Sequence, residues 1–585
     1  FRMLLNLALA AFIPLAAAIG EDDKVTDLPG LLFQANFNTY SGYLNANDNG
    51  TWQMHYWLSE SRNDPATDPI LVWFNGGPGC SSYCGMFEEL GPFYVTYDGN
   101  SLFENIHSWN QRANVLALES PIGVGFSYSR DDANWTTAND DLAAEQNYAA
   151  LNDFFKRVQT KYGDREFYLS GESYAGVYIP MLSKKLVDGI KSGDFINSKF
   201  KGAAIGNGFM HVQYLMNSLV LWGNYHGRLS PQDWEWVKAN CNANSAPDAD
   251  HYDFTHYLKS ENGMDFVSDG SACGNLTAPL LVVNDNMDGY NYYQDCYAGN
   301  SIVLSGEDTR RMQTKRNPRR PHQARQYAAH AAHATRAQAR RVRRAADVPY
   351  EQTPLAAGAN PASNFWQDST DLEQAYPCWN EDAVHTYSNR KDVQTAIHIP
   401  DEWQARNKAW IDCNDPMYDN YHNTYNNTQQ FFDYVLSNFD QPFHFMIYNG
   451  DVDTVCNFLG DSWFIRDVAE ANKLTTSGTR DEWTYRGQTA GYVQHYVNDD
   501  NTKFIDVVTV KGAGHFVPAD RPGQSAQMIT NFLTQTAGES ARNIVDYSSA
   551  DQVNPTPKAL PLVDKSTSAL SLSTALLASL IVAML

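Results

Sequence analysis

The stretch EFYLSGESYAGVYIP, which runs from Glu166 to Pro180, predicts a strand, a sharp turn and a helix in immediate succession. Its first residues are β-formers, and the residues after the turn carry apolar side chains at helical spacing. Ser173 occupies the turn, with the small residues Gly171 and Ala175 on either side. Such a turn lifts a serine hydroxyl out of a sheet and directs the first backbone N–H groups of the helix toward it, where they can bind an oxyanion. The stretch therefore favours a nucleophilic serine over an ordinary turn residue.

Two later stretches supply a general base and an orienting acid, in the chain order Ser, Asp, His that is typical of hydrolases with such a turn. An apolar strand predicted at 443–448 leads into a polar loop with Asp451 and Asp453. A second apolar strand, at 504–510, leads into a glycine-rich loop with His515. Both loops follow the carboxyl end of a strand, where open α/β sheets hold their sites. A lone Asp or His in a loop is usually structural, but three such residues in this order favour catalysis.

Six longer motifs extend this pattern. They are WFNGGPGCSSYCGMFEELGP (Trp73–Pro92), LALESPIGVGFSYS (Leu116–Ser129), GESYAGVYIP (Gly171–Pro180), AIGNGFM (Ala204–Met210), NGDVDTVCNFLG (Asn449–Gly460) and GAGHFVPADRP (Gly512–Pro522). Through them the chain, from about Val25 to Thr536, resembles the serine carboxypeptidase family. The resemblance implies an α/β-hydrolase core with a mostly parallel central sheet and an inserted, largely helical cap. It also implies a serine-type carboxypeptidase that releases C-terminal residues from peptides and proteins at acidic pH through an acyl-enzyme.

The resemblance assigns the catalytic roles to individual residues. It implies a triad of Ser173, Asp453 and His515, and it makes the neighbouring Asp451 a loop acid outside the triad. It also implies an oxyanion hole formed by the backbone N–H groups of Gly77 and Tyr174. The chemistry agrees, because a glycine-rich loop lets its backbone approach a substrate closely and Tyr174 begins the helix after the nucleophile.

The resemblance also implies a device that binds the terminal carboxylate of the substrate. Its members are Asn75, Glu89 and Glu172, with Trp73 beside them, and at least one of the two Glu side chains holds a proton. Two carboxyl groups that share a site of low dielectric constant favour the retention of one proton. Binding would fail as that proton leaves, which predicts an acidic optimum for peptide hydrolysis.

Cysteines carry two further expectations that come from the resemblance. Cys456, as a free thiol, and Phe516 would line the pocket of the leaving residue, although a buried Cys can equally serve as a small apolar side chain. A disulfide between Cys80 and Cys378 would tie the insertion to the core. The pairing of the remaining cysteines stays open, because spacing alone does not decide it.

The chain is acidic overall but contains one strongly basic segment. The 585 residues carry a formal net charge of −24, which argues against nucleic acid as a partner. Residues 310–346 depart from this composition, with many Arg and Lys residues, and they are interpreted as a linker, a processing site or a gene-model error.

Composition and the resemblance together divide the chain into segments. They are a secretory signal peptide (1–18), the first part of the core (19–211), the cap insertion (212–376), the second part of the core (377–540), a polar stalk (541–568) and a hydrophobic C-terminal anchor signal (569–585). The last segment is short for a spanning helix and has no basic anchor, which favours a GPI attachment signal over a retained membrane helix.

Cysteines and glycosylation sequons indicate the compartment. The chain has eight cysteines, and its Asn-X-Ser/Thr sequons are at Asn49, Asn134, Asn275 and Asn426. Both features fit an oxidising, glycosylating route. The sequence therefore predicts passage through the secretory pathway to the outside or surface of the cell, with a vacuole-like or lysosome-like compartment as the alternative.

Two other functions stay open at this point. An acyltransferase could use the same scaffold, because an acyl-enzyme can pass its acyl group to an alcohol instead of water. A non-catalytic surface binding protein is the third reading. In the preferred reading the partners are peptide or protein C-termini, no metal or cofactor takes part, and the C-terminal segment attaches the protein to a membrane.

Overall fold

The computed structural model describes residues 19–96, 98–132, 135–136, 138–241, 253–259, 266–281, 288–294, 380–406, 409–538, 543–550 and 558–563. The predicted signal peptide, the basic run 310–346 and the hydrophobic segment 569–585 lie outside these residues. Within them, no helix is both long and apolar enough to cross a membrane.

Sixteen strands are present in the described part of the chain. They are β1 (Thr39–Asn45), β2 (Trp52–Ser59), β3 (Ile70–Phe74), β4 (Phe93–Val95), β5 (Leu102–Glu104), β6 (Asn114–Leu118), β7 (Tyr128–Ser129), β8 (Phe167–Ser173), β9 (Phe200–Gly208), β10 (Leu258–Lys259), β11 (Val267–Ser268), β12 (Phe443–Gly450), β13 (Thr475–Thr476), β14 (Asp481–Tyr485), β15 (Gln488–Val497) and β16 (Lys503–Val510).

The central sheet has the order β1-β2-β6-β3-β8-β9-β12-β16-β15-β13, with β14 paired to β15 and β7 paired to β2. The middle strands, from β6 to β16, run parallel to one another, and the strands at either side are antiparallel. The prediction of a mostly parallel central sheet is therefore confirmed. Because parallel strands share their direction, the residues after β8, β12 and β16 emerge at the same edge of the sheet.

Helices cover both faces of this sheet. They are Ser82–Cys84, Asp140–Asp153, Ala175–Ser192, Val212–Tyr225, Pro231–Asn240, Ala272–Leu281, Asn380–Ser388, Lys391–Ala396, Asp401–Arg406, Asp415–Asn420, Gln429–Asn438, Phe458–Ala471, Val517–Asp520 and Pro522–Thr536. Alternate residues of β3 show the two layers, because Val72 packs in one apolar core and Trp73 in the other. Strands buried on both faces in this way are typical of parallel sheets.

The described parts of the predicted insertion are mainly helical. The helices Val212–Tyr225, Pro231–Asn240 and Ala272–Leu281 surround a separate small apolar core, beside the short hairpin of β10 and β11. A disulfide between Cys241 and Cys273 joins two of these helical regions.

A buried charged cluster lies among β12, β15 and β16. Asp506 Oδ2 is 2.8 Å from His444 Nε2, and Asp506 Oδ1 is 2.7 Å from His495 Nδ1. Tyr547 donates a third hydrogen bond to Asp506 at 2.7 Å. Burial opposes ionisation of Asp506, but the two imidazoles outweigh it and lower the pKa of Asp506 well below its usual range. Burial would lower the pKa of His495, yet its bond to Asp506 prevails and raises that pKa.

Replacement of His495 by Gln is expected to lower the free energy of unfolding at pH 5.5 more than at pH 8. A histidine whose pKa is raised in the folded state stabilises the fold. This contribution is fully present at pH values below the pKa of the unfolded chain, about 6.5, and it is lost as the pH rises through the pKa of the folded state. We expect the unfolding free energy of the parent, relative to the variant, to fall by about 1 kcal/mol between pH 5.5 and pH 8. Chemical denaturation at both pH values measures this difference.

The matched control is His256→Gln, because His256 is a half-exposed imidazole 3.5 Å from Asp253. Its removal should leave the pH dependence of stability close to that of the parent. Identical pH dependence in the parent and the His495 variant would show that the cluster does not stabilise the protein in acid.

Candidate active site

Ser173 is the last residue of β8, and the helix Ala175–Ser192 begins two residues later. The strand, turn and helix that the sequence predicts are therefore present. Ser173 has a φ of 60°, a left-handed conformation that is uncommon for a residue with a side chain. Pro180 lies inside the helix without ending it, because the apolar face of the helix is buried in the core. The strained turn presents the half-buried Ser173 at the carboxyl edge of the sheet.

The glycine-rich loop after β3 lies directly against this turn. A Cβ atom built on Gly76 would be 2.4 Å from the backbone nitrogen of Tyr174 and 2.7 Å from Cβ of Ser173. Only glycine allows the two segments to approach this closely. The next residue, Gly77, has a φ of 110°, which also favours glycine. The loop that carries Gly77 and the start of the helix at Tyr174 are thus neighbours.

His515 and Asp453 form a buried pair across two loops. His515 Nδ1 is 2.8 Å from Asp453 Oδ2, and the two residues are 2% and 0% exposed. Asp453 also accepts hydrogen bonds from the backbone N–H groups of Val455, at 2.8 Å, and Cys456, at 3.1 Å. A carboxylate in this position holds the proton of the imidazole on Nδ1, which leaves Nε2 able to accept a proton.

Asp451 has a different environment from Asp453. Its Oδ1 accepts a hydrogen bond of 2.6 Å from the backbone N–H of Gly512, at the start of the loop that carries His515. Burial raises the pKa of Asp451 above its usual value. Asp451 therefore joins the two loops, and Asp453 contacts the imidazole.

Asn207 is part of the site, although the sequence did not single it out. Its Nδ2 donates to Asp453 Oδ2 at 2.8 Å, and its Oδ1 accepts from the backbone N–H of Gly450 at 3.1 Å. Asn207 has a φ of 41°, a conformation that Asn adopts more readily than most residues. Its place between two glycines of the AIGNGFM motif is the signal that could have identified it.

The four residues expected to bind a carboxylate lie together. Asn75 Nδ2 donates to Oε1 of Glu172 at 3.0 Å and to Oε1 of Glu89 at 3.1 Å. Asn75 is 5% exposed, Glu89 is 3% exposed and Glu172 is 2% exposed. The amide of Asn75 is oriented by two donors to its Oδ1, which are Trp73 Nε1 at 2.7 Å and the backbone N–H of Gly85 at 3.1 Å. These donors fix the Nδ2 group toward both carboxyl groups.

Tyr448, on β12, is a further neighbour of the carboxyl pair. Burial and the negative charges of Glu172 and Glu89 raise the pKa of Tyr448 well above its usual value. Sequence patterns do not indicate this interaction, because Tyr448 lies in an apolar strand.

The two residues expected at the leaving-residue pocket are near the catalytic loops. Cys456 is a buried free thiol, and burial, followed by the charge of Asp453, raises its pKa well above the usual value. Phe516 is half-buried and its ring centroid lies 5.1 Å from that of Tyr290, a residue of the insertion. The tyrosine ring also lies 4.7 Å from the imidazole of His515. The protonated thiol and the two aromatic rings are thus apolar groups in or beside the two catalytic loops.

The expected disulfide between Cys80 and Cys378 is wrong. Cys80 is bonded to Cys413, and Cys378 lies outside the described residues. The reason is backbone pairing, since the N–H of Ser81 donates to Asp412 O at 2.7 Å. The resulting bridge places the two Cα atoms 4.0 Å apart. This contact depends on a long-range approach that sequence spacing does not reveal.

Three of the four sequon asparagines are exposed on the surface. These are Asn49, Asn275 and Asn426, and Asn134 lies outside the described residues.

In the described ranges no group of three or more His, Cys, Asp or Glu side chains is arranged to hold a metal ion.

Comparison with known proteins identifies the family. The family model described as serine carboxypeptidase matches residues 29–535. The chain is 47% identical to serine carboxypeptidase ctsa-3.1 of Caenorhabditis elegans, with 96% of each chain covered. It is 33% identical to the lysosomal protective protein of Mus musculus, with 91% of this chain and 98% of the relative covered.

A solved structure confirms the predicted fold. Kex1 of Saccharomyces cerevisiae, described as a prohormone-processing carboxypeptidase, matches with a TM-score of 0.57 at 18% identity, covering 88% of this chain and 96% of that chain. The core is therefore an α/β-hydrolase core, as the sequence motifs predicted. The family match and the two relatives show that the chain belongs to the serine carboxypeptidase family and is a serine-type carboxypeptidase.

Proposed function

We propose that Ser173, His515 and Asp453 are the catalytic triad of this carboxypeptidase. In this proposal Ser173 Oγ attacks the carbonyl carbon of the last peptide bond, and His515 Nε2 takes its proton. The imidazolium then gives this proton to the leaving amine, so that the C-terminal residue departs and an acyl-enzyme remains. Water, activated by the same imidazole, hydrolyses the acyl-enzyme. The bond between His515 and Asp453 is the observation that best supports these roles.

The oxyanion hole in this proposal consists of the backbone N–H groups of Gly77 and Tyr174. It is supported by the close approach of Gly76 to Tyr174, which places the glycine-rich loop beside the N-terminus of the helix Ala175–Ser192. Backbone donors fixed in this way stabilise the negative oxygen of the tetrahedral intermediate without further reorganisation.

We further propose that Asn75, Glu89 and Glu172 recognise the terminal carboxylate of the substrate, with Trp73 orienting Asn75. Both Glu side chains accept from the same amide nitrogen, so their carboxyl groups are close together in a buried site. Two ionised carboxylates in that position would repel each other and would also repel the substrate carboxylate. A proton held by the pair instead supplies a donor, which supports hydrolysis at acidic pH.

The double variant Glu89→Gln/Glu172→Gln tests this recognition. Amide groups donate hydrogen bonds at every pH, so the acid dependence of substrate binding should disappear. For a short peptide with a free C-terminus we expect KM of the parent to rise about tenfold or more between pH 5 and pH 7.5, and KM of the variant to change less than about threefold. Steady-state hydrolysis at several pH values measures both constants.

Two controls separate recognition from catalysis. Glu88→Gln removes one carboxyl group next to Glu89 in the chain and should keep the pH profile of the parent. The same peptide with an amidated C-terminus should show little rise of KM in the parent. A double variant that keeps the full acid dependence with the free peptide would contradict the recognition proposal and leave the triad unaffected.

Cys456 and Phe516 support the proposal of an apolar pocket for the leaving residue. The thiol is buried beside Asp453, and the aromatic ring lies next to the catalytic imidazole, at a centroid distance of 5.3 Å. An apolar surface there would favour substrates with an apolar C-terminal residue.

We also propose that the protein passes through the secretory pathway to an acidic or extracellular compartment. The disulfides Cys80–Cys413 and Cys241–Cys273 are typical of oxidising compartments. Asn49, Asn275 and Asn426 are exposed, as glycosylation requires. The name of the mouse relative, lysosomal protective protein, also supports an acidic compartment. Cleavage of the signal 1–18 and GPI attachment through 569–585 belong to the same proposal.

The division of the chain into core, cap and stalk is proposed with the boundaries derived from the sequence. The helices and separate apolar core between Val212 and Leu281 support a cap that begins near residue 212.

A further inference from the structure

The cap segment 288–294 contacts the loop that carries the catalytic acid. Its Gly289 carbonyl accepts hydrogen bonds from the backbone N–H of Thr454, at 3.0 Å, and from Thr454 Oγ1, at 2.7 Å. The backbone N–H of Tyr292 donates to Val452 O at 3.0 Å. The segment therefore holds the residue before Asp453 and the residue after it.

The same segment contacts the loop that carries the base. The backbone N–H of His515 donates to Tyr290 O at 2.6 Å. A Cβ atom built on Gly514 would be 2.1 Å from this oxygen, so the two backbones are in close contact. The ring of Tyr290 adds a contact with the imidazole of His515, at a centroid distance of 4.7 Å.

A buried side-chain bond completes the attachment. Asp520 Oδ2 accepts hydrogen bonds from Asn291 Nδ2, at 3.0 Å, and from the backbone N–H of Gly514, at 2.8 Å. Asn291 is 2% exposed and Asp520 is 1% exposed. Asn291 thereby joins the cap to a carboxylate that also holds the residue immediately before His515.

We propose that the cap segment 288–294 positions Asp453 and His515 relative to each other, with Asn291 and Asp520 as its positioning residues. This proposal rests on the triad proposed above. The acid and the base lie on separate loops, and segment 288–294 makes hydrogen bonds to both loops. Misplacement of a catalytic group by about 1 Å can cost about 100-fold in rate, so a modest displacement of either loop should be measurable. The cap then contributes to catalysis.

Asn291→Ala tests the positioning role, with Asn217→Ala as the matched control. Asn217 is a buried cap residue that donates to Asp253 at 3.3 Å and accepts from the N–H of Phe254 at 2.8 Å, away from the catalytic loops. The readout is the second-order rate of labelling by a small alkyl fluorophosphonate, which needs the activated serine but no peptide pocket. We expect about a tenfold fall for Asn291→Ala and less than a twofold change for Asn217→Ala. Ser173→Ala shows whether the label reports the proposed nucleophile.

An exchange of the two side chains gives a second test that does not depend on the alanine variant folding. Asn291→Asp places two carboxyl groups together and should slow labelling at pH 7 at least tenfold. In the double variant Asn291→Asp/Asp520→Asn, the charge repulsion is removed and the amide oxygen at position 520 accepts from the N–H of Gly514. Its NH2 group is bonded to the same carbon and can donate to the new carboxylate after a rotation of the side chain at position 291. Labelling should then return to within about threefold of the parent.

The outcomes separate the two proposals. Equal labelling by Asn291→Ala and Asn217→Ala, whether both fast or both slow, would overturn the positioning role. Failure of the exchanged double variant to recover any rate lost in Asn291→Asp would overturn it as well. Labelling that persists in Ser173→Ala would instead overturn the triad.

Discussion

Replacement of Ser173 by alanine is expected to lower kcat for a peptide and for a small ester by at least about 10⁵-fold. Both reactions need the same nucleophile, because each passes through an ester bond to Ser173 Oγ. The oxyanion hole and the substrate pockets remain, so a small residual rate above that of water should persist. KM for the peptide should change little, because the hydroxyl reacts with the substrate but does not hold its C-terminus.

Ser170→Ala is the matched control for this experiment. Ser170 lies in the same strand and is fully buried, and its Oγ donates to Val72 O at 2.9 Å. Its removal should affect stability and leave kcat within about threefold of the parent. Steady-state assays of both variants at acidic pH, beside the parent, give the comparison. Turnover of the Ser173 variant similar to that of the parent would show that another residue is the nucleophile.

The sequence predicted the parts of the site that local patterns determine. The sharp turn at Ser173 was predictable because the strand, the turn and the helix are contiguous and each has its own residue preferences. The loops with Asp453 and His515 were predictable because each follows an apolar strand that ends at the carboxyl edge of the sheet.

Contacts between distant segments were not predictable in the same way. Asn207 reaches Asp453 only because β9 and β12 are adjacent strands. The bond between Asn291 and Asp520 joins residues 229 positions apart. The pairing of Cys80 with Cys413 follows from a backbone approach 333 residues apart along the chain, where the resemblance had implied a different partner. Each contact depends on tertiary packing, which single-residue preferences do not encode.

The two neighbouring loop acids show where local sequence patterns stop being informative. Asp451 and Asp453 have the same side chain in the same loop, and only the resemblance distinguished them before the structure was known. The structure gives a physical distinction, because Asp453 faces the imidazole and Asp451 faces the backbone N–H of Gly512. This difference in hydrogen-bond partners is directly testable.

Replacement of Asp453 by Asn is expected to lower kcat by about 10³- to 10⁴-fold with little change in KM. Three donors, from His515, Asn207 and Cys456, face Oδ2. At Oδ1 the N–H of Val455 is the donor at 2.8 Å. The amide oxygen of the variant should therefore occupy the Oδ2 position, because a nitrogen there would face three donors, whereas a nitrogen at the Oδ1 position faces only the N–H of Val455, which loses its acceptor. The variant should keep its fold and the orientation of the imidazole, and lose the negative charge that stabilises the imidazolium in the transition state.

Asp451→Asn is the control for this loss of charge. It removes the same carboxylate charge two residues away, and its amide oxygen can still accept from Gly512, so kcat should stay within about threefold of the parent. Hydrolysis of a peptide and an ester by both variants, with thermal unfolding to verify folding, measures the contrast. If the Asp451 variant loses as much activity as the Asp453 variant, the charge of the loop as a whole supports catalysis, and the assignment of Asp453 as the orienting acid is wrong.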